Sequence, residues 1–302
     1  MTSALILVLL ATSAVHAREN KVIYGLDGRN EVYTYHDRDV VNVSRSTVAL
    51  VPSNHVTELK NGGVRISGPG YGESYNLCRN ERFYKQPSGA FCSGFLIAPN
   101  KIMTAGHCIR NEQACADVRF AFDYRMKSSS RVNDTLSANQ VYKCKSILGW
   151  KEEDAGADFA IIELDRPVTG RRPLRLASNR ALRRGTKLVV IGHPAGIPTK
   201  ITDGAAVRTV NTAAGFFVAN LDTYGGNSGS AVFNERTLEV EGILVRGEED
   251  FRETPGGCIA SYRIRNNEGR GEDVTLVSAT SENGFTDPTL ALIDLLDGLF
   301  DN

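Results

Sequence analysis

The hydrophobic positions of this chain fall into many short runs that are separated by turn residues. Apolar and β-branched runs of strand length occupy residues 46–51, 91–98, 158–164 and 240–247. Proline and glycine are scattered between these runs rather than gathered into one linker. Short apolar segments with frequent turn residues are typical of all-β proteins. We therefore predict an all-β fold class.

Two apolar stretches near the ends of the chain need a separate interpretation. Residues 4–17 end with Val15 and Ala17 at the −3 and −1 positions of a signal-peptidase site. The stretch is too short to span a bilayer comfortably, because a spanning helix needs about 20 apolar residues. Residues 1–17 are therefore predicted to be a signal peptide, with an N-terminal membrane anchor as the alternative. Residues 288–300 carry apolar side chains at helical spacing, which predicts a helix.

The charge balance argues against two classes of partner. The 302-residue chain has 35 basic and 35 acidic residues, so its formal net charge is zero. A neutral chain has no general attraction to nucleic acid or to anionic membranes. We predict neither as a partner, no membrane contact beyond export, and a monomeric protein.

The six cysteines fit an exported protein. Disulfides are typical of oxidising compartments, and an even number of cysteines favours them. No two cysteines form a C-x-x-C pair, so we predict no metal site. Six thiols allow many complete pairings, and their spacing alone fixes none of them. The cysteines are Cys78, Cys92, Cys108, Cys115, Cys144 and Cys258.

A serine between glycines is the first sign of chemistry. Ser228 lies in the segment Gly-Gly-Asn-Ser-Gly-Ser at residues 225–230. Glycines let the backbone turn tightly, so that peptide N–H groups can point at a developing oxyanion. A serine hydroxyl is a poor nucleophile until a base removes its proton. The chain must therefore supply a base elsewhere.

His107 and Asp158 meet that requirement. His107 lies near the end of the strand-like run 101–108, and Asp158 stands at the head of an apolar run. Asp154 and Asp165 are nearby competitors for the carboxylate. Asp158 is preferred because the apolar run follows it directly, which would bury its carboxylate against the histidine.

The order of these residues resembles that of one family of hydrolases. Histidine, aspartate, serine is the order of chymotrypsin-like serine proteases, and not that of subtilisins or α/β-hydrolases. Residues 91–108, FCSGFLIAPNKIMTAGHC, resemble the hairpin that leads to that family's catalytic histidine. Residues 158–164 resemble the strand with its orienting aspartate. The GGNSGS motif is more similar to the bacterial glutamyl-endopeptidase branch, and the resemblance covers roughly residues 90–300.

The resemblance implies a fold and a catalytic machinery. The fold is two six-stranded antiparallel β-barrels of the chymotrypsin-like type with a C-terminal helix. The triad is His107, Asp158 and Ser228, and the backbone amides of Gly226 and Ser228 form the oxyanion hole. This chemistry needs no metal or organic cofactor, so we expect none.

The resemblance also bears on the cysteines and on a second histidine. It implies a Cys92–Cys108 disulfide that brackets the hairpin before His107. For the other four cysteines we favour the pairs Cys115–Cys144 and Cys78–Cys258. The segment Ile-Gly-His-Pro around His193 resembles a structural turn of bacterial relatives, so we predict a structural role for that histidine.

Asp222 is the candidate for substrate selection. It lies six residues before Ser228, where trypsin-like enzymes place the carboxylate that receives a lysine or arginine side chain. A buried carboxylate offsets its desolvation cost only when a cation pairs with it. Val245 and Gly247 match the other wall of the primary pocket, where substrate backbone pairs by β-augmentation. The alternative is that Asp222 faces solvent or caps a turn.

Several positions near the pocket depart from the family pattern. Leu244 and Val245 stand where glutamyl endopeptidases use a histidine, which argues against acidic specificity. Arg246 would oppose a basic substrate if its side chain faced the cleft. Val245 also replaces a serine that supports the triad aspartate, so we expect other donors to support Asp158. Asn227 replaces the aspartate that pairs with a freed N-terminus in trypsin-like zymogens, so activation by that ion pair is not expected.

We therefore predict a secreted serine endopeptidase, extracellular or periplasmic. It would hydrolyse protein or peptide substrates through an acyl-enzyme, with cleavage after arginine or lysine as the expected preference. Residues 18–65 are expected to be an N-terminal extension or the pro-segment of a zymogen, and residues 66–302 the protease domain. The alternatives are a catalytically silent binding protein on the same fold and a serine esterase without peptidase activity.

Overall fold

The computed structural model describes residues 22–177 and 182–281 of the chain. The predicted signal peptide and the predicted C-terminal helix lie outside these residues. Within them, no helix is long and apolar enough to cross a membrane. The α-helices are short: Arg38–Ser44, Tyr71–Ser74, Glu112–Ala116 and Ser278–Ser281. Single 3-10 turns occupy Val32–Thr34, Ser53–His55, Gly106–Cys108, Ala138–Gln140 and Pro194–Gly196.

Six antiparallel strands close into a first barrel. Its apolar positions point inward, and Leu50, Phe95, Ile102, Phe120 and Ile162 are fully buried. Burying such a side chain stabilises the fold by about 1.5–3 kcal/mol. Around the barrel the strands are Val141–Glu152, Asp158–Leu164, Lys101–Thr104, Cys92–Ala98, Thr47–Pro52 and Val118–Phe122.

Six further antiparallel strands form the second barrel, which closes where the first and last of them pair. Leu188, Phe217, Val232, Leu244 and Val274 are buried in its core. The predicted fold class, all-β with two six-stranded antiparallel barrels, is confirmed. Around the barrel the strands are Lys187–Gly192, Ala231–Asn234, Val240–Arg246, Glu272–Leu276, Phe216–Ala219 and Lys200–Asn211.

The remaining strands are short and lie on the barrels or in the loops between them. Arg29–Glu31 extends the second barrel by pairing with Lys200–Asn211. Ile23–Tyr24 pairs in parallel with Arg263–Ile264. The others are Val56–Glu58, Val64–Ile66, Met126–Ser128, Arg131–Val132, Thr135–Leu136, Phe251–Glu253 and Ile259–Ser261.

The N-terminal region before residue 66 contributes a strand to the first barrel. The strand Thr47–Pro52 pairs with Cys92–Ala98 on one side and with Val118–Phe122 on the other, so it is a member of the first barrel. Each backbone N–H and C=O of a barrel strand needs its neighbours, because a buried polar group without a hydrogen bond is costly. At least this part of the predicted extension therefore belongs to the folded domain.

All six cysteines are paired. The Cys92–Cys108 bridge implied by the family resemblance is present, with 6.2 Å between the Cα atoms. Cys115–Cys144 and Cys78–Cys258 are also bridged, as predicted. Cys78–Cys258 joins positions 180 residues apart in sequence.

Candidate active site

His107 lies in a single turn at the mouth of the first barrel. The strand Lys101–Thr104 leads into the 3-10 turn Gly106–Cys108, and the Cys92–Cys108 bridge ties the end of that turn back to the neighbouring strand. A Cβ at Gly106 would lie 2.2 Å from the carbonyl oxygen of Lys151, so only glycine fits before the histidine. The imidazole is thus placed by covalent and steric constraints.

Asp158 holds the imidazole and its turn together. Its Oδ2 accepts a hydrogen bond from His107 Nδ1 at 2.6 Å, which places the ring proton on Nδ1. Its Oδ1 accepts from the backbone N–H groups of Gly106 at 2.6 Å and His107 at 3.2 Å. Asp158 is 2% exposed, so these bonds form away from water, where they are electrostatically stronger.

The second barrel also contacts Asp158. The Asp158 N–H donates to Thr275 Oγ1 at 3.0 Å, and that hydroxyl donates to the Asp158 carbonyl at 3.1 Å. Arg246 places Nη1 3.8 Å from Asp158 Oδ2, and its Nε is 3.3 Å from Asp273. The Arg246 guanidinium also donates to two carbonyls of the loop at residues 153–156. Arg246 therefore turns toward Asp158 and the loop.

Ser228 lies at the junction of the two barrels, beside the histidine turn. Its carbonyl oxygen accepts from the Ser93 N–H at 2.8 Å, on the first-barrel strand that begins at Cys92. The same oxygen lies 3.7 Å from the sulfur of Cys108, the residue that follows His107. The structure thus brings the turn of His107, the carboxylate of Asp158 and the backbone of Ser228 together, although 121 positions separate His107 from Ser228.

Two glycines shape the loop around Ser228. Gly226 and Gly229 both have φ of +87°, a conformation that residues with a side chain rarely adopt. A Cβ at Gly229 would lie 2.0 Å from the Ser93 carbonyl oxygen. The Gly226 carbonyl accepts from the Ser93 hydroxyl at 2.8 Å, while its N–H makes no hydrogen bond within the described residues.

The structure places Asp222 against the N-terminal segment. Its two oxygens accept from the N–H groups of Tyr24, at 2.6 Å, and Gly28, at 2.8 Å. Burial raises the pKa of Asp222 to about 6, although these two hydrogen bonds favour the charged form. The carboxylate lines a cavity of about 260 Å³ together with Tyr24 and Asn266. It is not the carboxylate that contacts Gly247.

Gly247 instead faces a carboxylate that sequence reasoning missed. A Cβ at Gly247 would lie 1.8 Å from Glu272 Oε2. Glu272 is fully buried at the start of a second-barrel strand. The predicted wall residue Val245 is also fully buried, and its side chain packs in the apolar core. No motif marks Glu272, because its neighbours in space are distant in sequence.

His193 has the predicted structural role. Its ring is buried, donates from Nδ1 to the Ile197 carbonyl at 3.1 Å and stacks on Tyr124 at a centroid distance of 5.9 Å. Burial lowers the pKa of His193 to about 3, with the Lys200 cation contributing in the same direction. The neutral ring thereby fixes the turn that packs against Gly226.

One group of potential metal ligands occurs in the described part of the chain. It consists of Cys92, His107 and Cys108. Because the two sulfurs are bonded to each other, neither is a thiolate, and thiolates are the form of cysteine that binds metal. The residues present therefore do not fit a metal ion.

Comparisons with curated proteins give partial matches. The chain is 29% identical over 157 residues to an extracellular metalloprotease of Bacillus subtilis, covering 47% of this chain and 45% of that protein. It is 26% identical over 150 residues to a glutamyl endopeptidase of Bacillus licheniformis, covering 48% and 45%. The chain thus matches less than half the length of these relatives.

Solved structures and a family model extend the comparison. The VesB protease of Vibrio cholerae matches with a TM-score of 0.51 and 18% identity, over 89% of this chain and 68% of that one, which supports the fold. A Glu endopeptidase in complex with MPD matches with a TM-score of 0.47 and 19% identity, over 86% and 96%. The model of the trypsin-like peptidase domain matches residues 92–243, which are half of the chain. The protein belongs to the trypsin-like peptidase domain family.

Proposed function

We propose that this protein is a secreted serine endopeptidase with the triad His107, Asp158 and Ser228. The observation that carries the proposal is the 2.6 Å hydrogen bond between His107 Nδ1 and Asp158. The residue after His107, Cys108, places its sulfur 3.7 Å from the carbonyl oxygen of Ser228. A buried carboxylate that holds one imidazole nitrogen directs the other nitrogen toward a nucleophile as a base. Family membership favours the same chemistry.

The proposed reaction is acyl transfer in two steps. Ser228 Oγ attacks the scissile carbonyl while His107 Nε2 takes the hydroxyl proton, and the carbonyl electrons move onto oxygen. The N–H groups of Gly226 and Ser228 stabilise that oxyanion, and Asp158 stabilises the imidazolium. His107 then gives its proton to the leaving amine. Water attacks the acyl-enzyme with His107 as the base again, which releases the acid and restores the serine.

Secretion and substrate class are part of the proposal. Three disulfides favour an oxidising compartment, so we place the protein outside the cytoplasm, in the periplasm or the medium. Protein or peptide substrates follow from the family, and cleavage after arginine or lysine is the proposed preference.

The test uses purified protein, a fluorophosphonate probe and a casein substrate. We expect the probe to label Ser228, and Ser228→Ala to lose labelling and about 10⁶-fold in hydrolysis rate. Asp158→Asn should lower kcat by about 10⁴-fold, because the neutral amide no longer fixes the imidazole tautomer. Ser230→Ala, which changes a serine of the same loop, is the matched control and should keep labelling.

Three outcomes would contradict the proposal in different ways. Full activity of the Ser228→Ala variant would show that another residue is the nucleophile. Hydrolysis of small acyl esters without cleavage of casein would identify an esterase. A protein that neither binds the probe covalently nor hydrolyses any substrate would be a silent binding protein on this fold.

A further inference from the structure

The direction of the Gly226 N–H is fixed by the peptide unit that carries it. The carbonyl of that unit belongs to Gly225, and it accepts a hydrogen bond from the Ala195 N–H at 2.5 Å. The N–H and C=O of a trans peptide point in opposite directions, and the described residues contain no cis peptide bond. The Gly226 N–H, one of the two proposed oxyanion donors, therefore points away from Ala195.

The turn around Ala195 is held in a strained conformation. Ala195 has a φ of +51°, in the left-handed region that a residue with a side chain enters at a cost of about 1–2 kcal/mol. Such strain persists only where neighbouring contacts fix the backbone. Here the Ala195 carbonyl accepts from the Ser88 hydroxyl at 2.6 Å, while the Ala195 N–H donates to Gly225. The strain thus lies at the contact that orients the Gly226 N–H.

The next carbonyl of the loop is held by the first barrel. The Gly226 carbonyl accepts from Ser93 Oγ at 2.8 Å, and the same oxygen of Ser93 accepts from the His193 N–H at 2.9 Å. Ser93 is fully buried, so both hydrogen bonds form away from water. The carbonyls of Gly225 and Gly226 are therefore both fixed from outside the loop.

Asp250 holds the start of the same loop. Its Oδ2 accepts a hydrogen bond from the Gly225 N–H at 2.9 Å. A hydrogen bond to a carboxylate is about twice as strong as one between neutral groups. Gly225 is thereby bound through its N–H to Asp250 and through its carbonyl to Ala195. A rotation of the peptide between Gly225 and Gly226 would break the Ala195 bond, and Asp250 fixes the peptide before it.

Asp250 is in turn positioned by a β-hairpin. The residue after it begins the strand Phe251–Glu253, which pairs with Ile259–Ser261. The Phe251 ring packs on the ring of Tyr224, with 4.8 Å between the centroids. Asp250 and Phe251 therefore contact residues 225 and 224, which directly precede the proposed oxyanion donor. The hairpin holds the loop by one polar and one apolar contact.

We propose that Asp250 is a positioning residue for the oxyanion hole, which holds the Gly226 N–H in place through Gly225. The inference rests on the proposed peptidase function and adds a residue to its machinery. Asn227 stands where trypsin-like zymogens carry an aspartate that pairs with a freed N-terminus, and a neutral amide cannot form that ion pair. Its Oδ1 accepts from the Ser230 hydroxyl at 3.3 Å instead. The carboxylate that holds this loop is Asp250, which needs no new N-terminus.

The first test compares the kinetics of three variants on one chromogenic peptide. Asp250→Ala removes the acceptor, whereas Asp250→Asn removes the charge but keeps an oxygen that can accept from Gly225. We expect Asp250→Ala to lower kcat about 10-fold with little change in KM, because the oxyanion forms only in the transition state. Asp250→Asn should recover most of that loss. Glu249→Ala changes the exposed neighbouring carboxylate and is the matched control, with kcat unchanged.

A second measurement separates the oxyanion hole from the rest of the site. A peptide boronic acid binds a catalytic serine as a tetrahedral anion, which resembles the transition state. The matching peptide alcohol carries the same side chains but forms no such anion. In Asp250→Ala, the inhibition constant of the boronic acid should rise by the same factor by which kcat falls. The inhibition constant of the alcohol should stay unchanged.

The outcomes separate this inference from the proposed function. A wild-type protein that cleaves the peptide, with full kcat in Asp250→Ala, overturns the role of Asp250 and leaves the peptidase function intact. Equal rises in both inhibition constants would show a general distortion of the site, and would overturn it as well. Asp250→Leu fills the space without an acceptor, and it replaces Asp250→Ala should that variant fail to fold.

A measurement without turnover covers the remaining case. A wild-type protein that hydrolyses nothing and resists the fluorophosphonate contradicts the proposed function. Hydrogen exchange, followed by mass spectrometry, then decides whether Asp250 holds the loop. We expect the amides of residues 224–230 to exchange faster in Asp250→Ala than in Glu249→Ala. Equal exchange in the two variants would overturn the inference.

Discussion

The buried ring of His193 should make its contribution to stability depend on pH. The ring is fully buried, and its Nδ1–H donates to the Ile197 carbonyl, so the neutral form is the one that fits. Burial lowers the pKa of His193 from its ordinary value of 6.5 to about 3. Between these values the unfolded chain binds a proton that the folded protein does not bind. The contribution of His193 to stability is therefore fully present above pH 6.5 and is lost as the pH falls toward 3.

The size of the His193 effect follows from the difference between its two pKa values. One pKa unit corresponds to about 1.4 kcal/mol, so His193 alone would cost about 5 kcal/mol between pH 6.5 and pH 3. Asp222 acts in the opposite direction, because burial raises its pKa from 3.8 to about 6. The folded protein therefore binds its proton more tightly, which adds about 3 kcal/mol as the pH falls from 6 to 4. In the intact protein the two effects nearly cancel over this range.

Single variants should expose each effect. Urea unfolding is measured from pH 7 to pH 4.5 on the Ser228→Ala protein, which prevents self-digestion. Between pH 6.5 and 4.5, the free energy of unfolding of the His193→Gln variant should rise relative to that of the parent protein by about 3 kcal/mol. Asp222→Asn should show the reverse, a steeper loss toward acid. His36→Gln changes an exposed histidine and is the control. Parallel pH curves for the His193→Gln and parent proteins would refute this account.

Two further predictions concern a charge and a crosslink. Arg246→Met removes the cation 3.8 Å from Asp158 and should lower kcat about 10-fold with little change in KM. Arg270→Met, which removes the other cation that pairs with Asp273, is the control and should leave kcat unchanged. Equal kinetic losses in both variants would assign Arg246 a merely structural role. Replacing the disulfide Cys78–Cys258 by two serines should cost about 5 kcal/mol of stability, because the bridge joins residues 180 positions apart. An unchanged melting temperature would contradict this estimate.

The elements of the candidate triad were predictable from local sequence. His107 and Asp158 each lie at the end of an apolar run, and such runs become barrel strands whose ends carry functional groups. Once these strands pair, with Ala160 opposite Thr104, the two residues must lie close together. The glycines around Ser228 were informative for the same local reason, since a positive φ at Gly226 needs glycine.

Non-local pairing was less predictable. The apolar run at residues 46–51 was recognised as strand-like, yet its partners Cys92–Ala98 and Val118–Phe122 lie at least 40 positions away. Nothing in the run itself shows whether it belongs to a pro-segment or to the barrel. The boundary after residue 65 therefore stays a prediction, although residues 47–52 pair within the barrel.

The role of Asp222 shows why spacing fixes a backbone position but not the direction of a side chain. The nearest donors for its carboxylate are the N–H groups of Tyr24 and Gly28, almost 200 positions earlier. Glu272, which comes later in the chain than both Asp222 and Gly247, is the carboxylate that lies against Gly247. The N-terminal segment thus occupies both oxygens of Asp222.

The same contacts limit where this protein can be processed. Removing residues 18–65 would take away a strand of the first barrel and both donors to Asp222, leaving a buried carboxylate without hydrogen bonds, which costs several kcal/mol. Cleavage before Tyr24 would leave every one of these contacts intact. If the peptidase matures by proteolysis, the folded domain therefore requires the new N-terminus to lie upstream of Tyr24.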